Sequence, residues 1–187
     1  MSEEQIRFYF DFLCPYSYIG WLHFKQALSG KGLSTVFHAV GSKGDSARFD
    51  APSRWEKLTS RGKKLGVSIN KPRSGIDSAA ARRGMACCTD ITREVYIDAV
   101  FRAVFQENVD ISNGQTLIDF LQKEGVDHAP LQKALDDPQS LKFADDAASL
   151  WETRHLELLP TIEIGEDRYA GIIDGRGLEN LLARVIF

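Results

Sequence analysis

A cysteine, a proline, a tyrosine and a serine stand together at residues 14–17, and this segment is the part of the sequence best suited to chemistry. An aromatic, nearly alternating run at 6–13 precedes it and is typical of a strand. Apolar residues at helical spacing follow it, so Cys14 is expected where a strand turns into a helix. Unpaired N–H groups and the dipole at a helix N-terminus stabilise a thiolate, which lowers the pKa of a cysteine there. The alternative is that Cys14 is a small buried apolar residue at a strand end.

The residues around this cysteine narrow its chemistry. Pro15 suits the first turn of a helix, where its missing N–H is not needed. Ser17 can cap the helix or donate a hydrogen bond towards the sulfur. Because position 17 is not a cysteine, the motif cannot run an intramolecular dithiol–disulfide cycle. We expect the two other cysteines, Cys87 and Cys88, to be packed or idle, and no His or Cys at ligand spacing around Cys14 indicates a metal.

A second feature is the sequence Leu159-Pro160-Thr161 just before a predicted strand. A proline in this place can follow a cis peptide bond. An ordinary trans proline at a strand start is the alternative, and it is the commoner arrangement by far.

The hydrophobic pattern predicts an α/β protein. Strands are predicted at 6–13, 33–40, 161–164 and 168–171, and helices at 18–28, 54–65, 77–89, 94–106, 113–124, 129–136, 140–151 and 178–185. The order is β-α-β, then helices, then β-β-α, so two halves complete one mixed sheet on the thioredoxin plan. We predict a discontinuous thioredoxin-like domain at 1–42 and 156–187, with a helical insertion subdomain at 43–155.

Composition excludes several classes of function. A net charge of −3 over 187 residues gives no electrostatic case for nucleic acid or an anionic membrane as partner. The N-terminal residues show no signal peptide, and no apolar run approaches the roughly 18 residues that span a bilayer. We therefore expect a cytoplasmic protein whose thiols stay reduced.

Several segments resemble one known family. The run at 8–20 (Phe-Tyr-Phe-Asp-Phe-Leu-Cys-Pro-Tyr-Ser-Tyr-Ile-Gly) resembles the opening of the DsbA-like thioredoxin superfamily. It is most similar to the branch of 2-hydroxychromene-2-carboxylate isomerases and kappa-class glutathione transferases. The segments at 64–67, 101–105 with 110–112, and 159–161 resemble further motifs of that branch or superfamily.

The resemblance implies a glutathione site. The backbone of Leu159, before a cis Pro160, would pair with the cysteinyl part of glutathione as an added strand does. Asp174 would hold the γ-glutamyl ammonium, and the N–H of Gly175 would bind its carboxylate. The alternative is that 174–175 is a plain turn. The resemblance assigns no residue to the glycyl carboxylate of glutathione. Lys43 and Arg48 are the basic candidates for it.

The branch normally has serine where Cys14 stands, and that serine keeps the glutathione sulfur a thiolate. The sequence therefore predicts a glutathione-dependent isomerase or transferase, with Cys14 catalytic and Tyr16 and Ser17 beside glutathione. Its second partner would be a small electrophilic aromatic or unsaturated compound, and the resemblance implies a homodimer. One alternative is a monothiol oxidoreductase that attacks mixed disulfides through Cys14. Another is a non-catalytic binding module with a filled or blocked groove at Leu159-Pro160.

Overall fold

The computed structural model describes residues 5–41 and 52–185. Their elements are β1 (Ile6–Phe10), α1 (Pro15–Leu28), β2 (Thr35–Ala39), α2 (Pro52–Lys64), α3 (Ala79–Ala86), α4 (Asp90–Phe105), α5 (Gly114–Lys123), α6 (Ala129–Asp136), α7 (Ser140–Thr153), β3 (Thr161–Ile164), β4 (Asp167–Ala170) and α8 (Gly175–Leu182). No helix within these two ranges is long and apolar enough to cross a membrane.

The strands form one mixed sheet in the order β2-β1-β3-β4. β1 runs parallel to β2 with Phe8 opposite Phe37, and antiparallel to β3 with Phe8 opposite Ile162. β3 and β4 form the predicted hairpin. Helices α2 to α7 lie between β2 and β3 in the chain, so the predicted α/β class with a central helical segment is confirmed.

An aromatic core joins the sheet to the helices. Phe8 stacks on Phe24 of α1 with ring centroids 4.6 Å apart. Phe101 of α4 packs against Phe10 at 5.5 Å and against Tyr18 at 5.3 Å. From Tyr96 onward α4 is buried on most of its faces, whereas its first turns are exposed. The sheet and the helical segment therefore share one core, and the domain boundaries drawn from the sequence stay a prediction.

The other face of the sheet carries a buried polar group. The Tyr9 hydroxyl donates to Glu163 Oε2 over 2.8 Å, and Arg168 Nη2 donates to Glu163 Oε1 over 2.7 Å. Burial acts to raise the pKa of Glu163, but the hydrogen bonds from Tyr9 and Arg168 outweigh it, so the pKa is lowered. A charged glutamate is thus held under the sheet by two donors.

Four helices begin earlier than the sequence predicts: α1, α2, α4 and α8. The reason is clear at α1 and α8. α1 begins at Pro15 rather than Tyr18, because Cys14 is the N-cap and Pro15 occupies the first position. α8 begins at Gly175 rather than Leu178, because the Asp174 carboxylate caps a first turn that contains two glycines. Glycine disfavours helix interiors, which explains the late predicted start.

Candidate active site

Cys14 lies in the turn between β1 and α1, as the sequence predicts. Its N–H donates to the Asp11 carbonyl over 3.0 Å, and its carbonyl accepts the N–H of Tyr18 over 3.1 Å as α1 begins. The residue is 6% exposed and packs in a small cluster with Tyr9 and Leu159. The sulfur therefore sits at a helix N-terminus, but beneath apolar side chains rather than in water.

The pKa of Cys14 is raised, whereas its place at a helix N-terminus predicted a lowered value. Burial raises the pKa of the thiol to about 11. The Ser17 hydroxyl and the backbone amides of Ser17 and Tyr16 act to lower it, while the negative charge of Asp11 adds to the rise. These donors at the helix N-terminus act as expected, but desolvation has the larger effect on the thiol pKa. Cys14 is thus a neutral thiol near pH 7 and can donate a hydrogen bond.

Ser17 is fully buried below the sulfur. Its Oγ accepts the N–H of Asp11 over 3.3 Å, which leaves the hydroxyl proton to donate elsewhere. A hydrogen bond from this hydroxyl to Cys14 is one of the interactions that lower the thiol pKa. Ser17 therefore acts on Cys14 as a hydrogen-bond donor.

A buried polar chain supports this turn, and the sequence prediction missed it. Asp11, 1% exposed, accepts the N–H of Leu13 over 3.0 Å and the Ser78 hydroxyl over 3.2 Å through Oδ1. Arg82 Nη1 in turn donates to Ser78 Oγ over 2.7 Å. The sequence feature that could have indicated this chain is Asp11, a carboxylate at the end of the aromatic strand and just before the motif. The chain ties α3 to the base of the active-site turn.

The Leu159–Pro160 peptide bond is cis, so the rarer of the two arrangements is present. The carbonyl of Leu159 lies 4.0 Å from Cys14 Sγ. The ladder between β1 and β3 begins at Thr161, and in the described ranges the N–H of Leu159 makes no hydrogen bond. The side chain of Leu159 is 8% exposed and Pro160 is buried.

Gly20 of α1 allows this loop to approach the helix. A Cβ at position 20 would stand 2.4 Å from Cγ of Pro160. Only a residue without a side chain permits that distance, so α1 and the proline loop are in direct contact. The sulfur of Cys14 and the backbone of Leu159 are held together by this contact.

Asp174 and Gly175 lie at the N-terminus of α8 rather than in a plain turn. Asp174 Oδ1 accepts the N–H of Gly177 over 2.8 Å, a regular N-cap. The N–H of Gly171 donates to the Pro160 carbonyl over 2.7 Å, which joins this loop to the proline loop. α8 packs along α1, where a Cβ on Gly175 would be 3.9 Å from His23 Nδ1. The predicted residues at 14–17, 159–160 and 174–175 thus all lie along α1.

The other predicted residues are Tyr16, the two further cysteines and two basic residues. Tyr16 is half-buried and packs against the cluster that contains Cys14. Cys87 and Cys88 are free thiols like Cys14, and burial raises the pKa of Cys88 to about 11. Lys43 and Arg48 lie outside the described residues.

Comparisons with known proteins bear on the family and the fold. A model of the "DSBA-like thioredoxin domain" matches residues 5–184. The uncharacterized protein YwbO of Bacillus subtilis (strain 168) is 26% identical over 179 residues, covering 86% of each chain. The solved structure of a 2-hydroxychromene-2-carboxylate isomerase is similar with a TM-score of 0.76 at 21% identity, covering 97% of this chain and 95% of that one. The cytosolic disulfide reductase DsbM of Pseudomonas aeruginosa, solved with GSH, has a TM-score of 0.65 at 18% identity, covering 97% of this chain and 95% of that one.

The family match spans nearly the whole chain and contains every residue of the candidate site. The two structural likenesses add support for the fold at low sequence identity. The protein therefore belongs to the DsbA-like thioredoxin family.

Proposed function

We propose that this protein is a glutathione-dependent enzyme of the isomerase or transferase kind. One observation carries the proposal: Cys14 is a buried thiol with a raised pKa and no cysteine at position 17. Such a group is a poor nucleophile, because the reactive form of cysteine is the thiolate. It is a suitable hydrogen-bond donor to another sulfur, which is the role that serine has in the resembling branch.

Glutathione would bind along α1. The unpaired N–H and the carbonyl of Leu159 can pair with its cysteinyl residue as an added strand. Asp174 uses Oδ1 for the helix cap, and its carboxylate would hold the γ-glutamyl ammonium, while the Gly175 N–H would bind the γ-glutamyl carboxylate. The disulfide reductase of Pseudomonas aeruginosa, which was solved with GSH, supports this choice of ligand.

The reaction would begin with addition of the glutathione thiolate to an electrophilic carbon. A sulfur–carbon bond forms, and the electron pair of the substrate double bond moves to a conjugated oxygen. In an isomerase, the former double bond then rotates, the pair returns and the sulfur–carbon bond breaks, so glutathione is released unchanged. In a transferase, the adduct takes up a proton and leaves. Cys14 keeps its own proton throughout and stabilises the thiolate that arrives or departs.

The principal alternative is a monothiol oxidoreductase. It requires Cys14 to be a thiolate that attacks a mixed disulfide, and burial opposes that ionisation. The pH dependence of Cys14 alkylation separates the two. A pKa above 9 with no reduction of a glutathionylated peptide supports the glutathione-dependent enzyme, and a pKa below neutral with reduction supports the oxidoreductase.

Titration calorimetry with glutathione tests the proposal. We expect binding by the wild type and weaker binding by Asp174→Asn, because asparagine keeps the helix cap but lacks the charge. Glu179→Gln, an exposed charge on the same helix, is the control. No detectable affinity at millimolar glutathione would refute the proposal. Binding without turnover of any electrophile would instead favour the non-catalytic module, for which burial of Leu159 and Pro160 is the supporting feature.

The proposal also includes where the enzyme works and in what state. A cytoplasmic location supplies reduced glutathione and keeps Cys14 reduced. The homodimer stays a prediction from the resemblance, and light scattering of the purified protein tests it.

A further inference from the structure

A cleft of about 450 Å³ lies between the active-site motif and α2. Its wall on the motif side is Tyr16, and its other lining residues all belong to α2. Two larger clefts, one along α6 and one on the other side of α2, are lined by no residue of the motif at 14–17. A volume of this size fits a small ligand or one end of a larger one.

The cleft is basic. Lys57, Arg61 and Lys64 line it and recur at helical spacing, so they share one face of α2. Glu56 is the single acidic side chain in its lining, in a protein whose overall charge is negative. Within residues 5–41 and 52–185, none of the three cations forms an ion pair or a hydrogen bond. Three exposed cations of one face are thus available to an anion.

Tyr16 connects this cleft to the sulfur. Its half-buried ring packs against the cluster of Cys14, and the same residue lines the basic cleft. A ligand whose anionic group lies on α2 would therefore extend past Tyr16 towards Cys14.

We propose that the face of α2 formed by Lys57, Arg61 and Lys64 is a carboxylate-binding subsite of the Cys14 centre. The carboxylate belongs either to glutathione or to the electrophile. This assignment of the carboxylate rests on the proposed function, whereas the existence of the subsite does not. In both cases the cations also attract an anionic reactant to the site.

Neutral variants test the subsite. We expect Arg61→Gln and Lys64→Gln each to weaken carboxylate binding about two- to fivefold, as for other exposed charge pairs. Lys63→Gln is the matched control, because Lys63 is the chain neighbour of Lys64 but lines a different cleft. The probes are glutathione, its dimethyl ester, trans-cinnamate and methyl cinnamate, each titrated against the four proteins by calorimetry.

The titrations show whether glutathione or the electrophile supplies the carboxylate. Weaker binding of glutathione but not of its ester assigns the carboxylate to glutathione. Weaker binding of cinnamate but not of methyl cinnamate assigns it to the electrophile. Equal affinities for all four proteins, or an equal loss in Lys63→Gln, overturn the subsite. If the wild type does not bind glutathione, the proposed function fails and the cinnamate titration alone decides; if cinnamate is not bound either, the subsite is refuted too.

Discussion

The contact between α1 and the proline loop makes Gly20→Ala an informative substitution. The added methyl group would lie 2.4 Å from Pro160 Cγ, whereas ordinary contact begins at 3.4 Å. The helix and the loop must therefore separate by about 1 Å. Because a proline ring cannot rotate away, the backbone has to move.

The stability cost follows from two opposing effects. Inserting a methyl group into a packed contact costs about 1–3 kcal/mol. Replacing glycine by alanine inside a helix returns up to about 1 kcal/mol. Gly175→Ala, at the first residue of α8, is the control for stability alone, since its nearest neighbour would be 3.9 Å away and the added methyl group meets no close contact. The two variants should differ by about 1–3 kcal/mol, or roughly 2–12 °C in Tm for a chain of this size.

The same displacement should also weaken the binding of glutathione. If Leu159 moves with Pro160, one backbone hydrogen bond to glutathione is lost or lengthened, which weakens binding about two- to tenfold. Differential scanning calorimetry gives the Tm, and titration calorimetry gives the affinity. A Gly20→Ala protein as stable as Gly175→Ala, with unchanged glutathione affinity, would refute the reasoning.

Three further predictions concern single side chains. Cys14→Ser keeps a hydrogen-bond donor and should bind glutathione within about twofold of the wild type, whereas Cys14→Ala should bind about tenfold more weakly; equal losses in titration would contradict the donor role. Ser17→Ala removes a donor that lowers the Cys14 pKa, so the iodoacetamide alkylation profile should move to higher pH, and an unmoved profile would argue against that hydrogen bond. Glu163 has a folded-state pKa below its unfolded value, so its contribution to stability is present above about pH 4.5 and is lost as the pH falls through the folded value. Urea unfolding of wild type and Glu163→Gln should therefore differ by about 1–3 kcal/mol at pH 7 and progressively less below pH 4; a gap independent of pH would refute this sign.

The sequence predicts the order of elements and the place of Cys14 well, because both depend on local patterns. The aromatic alternation marks β1, and Pro15 marks the start of a helix. The cis bond at Leu159 is not a local property, since base rates favour trans, and the resemblance was needed to predict it.

The raised pKa of Cys14 could not be predicted in the same way. The donors at the helix N-terminus follow from the sequence, but the depth of burial depends on side chains such as Leu159 that are far away in the chain. The same holds for Ser78, whose contact with Asp11 spans 67 positions. The basic face of α2 is readable as a cluster, but its position beside Tyr16 depends on how two helices pack.

The hydrogen-bonded chain from Arg82 through Ser78 to Asp11 limits how this protein can be recombined. A chimera that grafts the first strand and helix onto another thioredoxin scaffold would carry the cysteine but leave the Asp11 carboxylate without its Ser78 partner. A buried carboxylate stripped of a donor is costly, so such a graft would be unstable at the turn itself. A graft of the reactive centre would therefore have to include α3 together with β1 and α1.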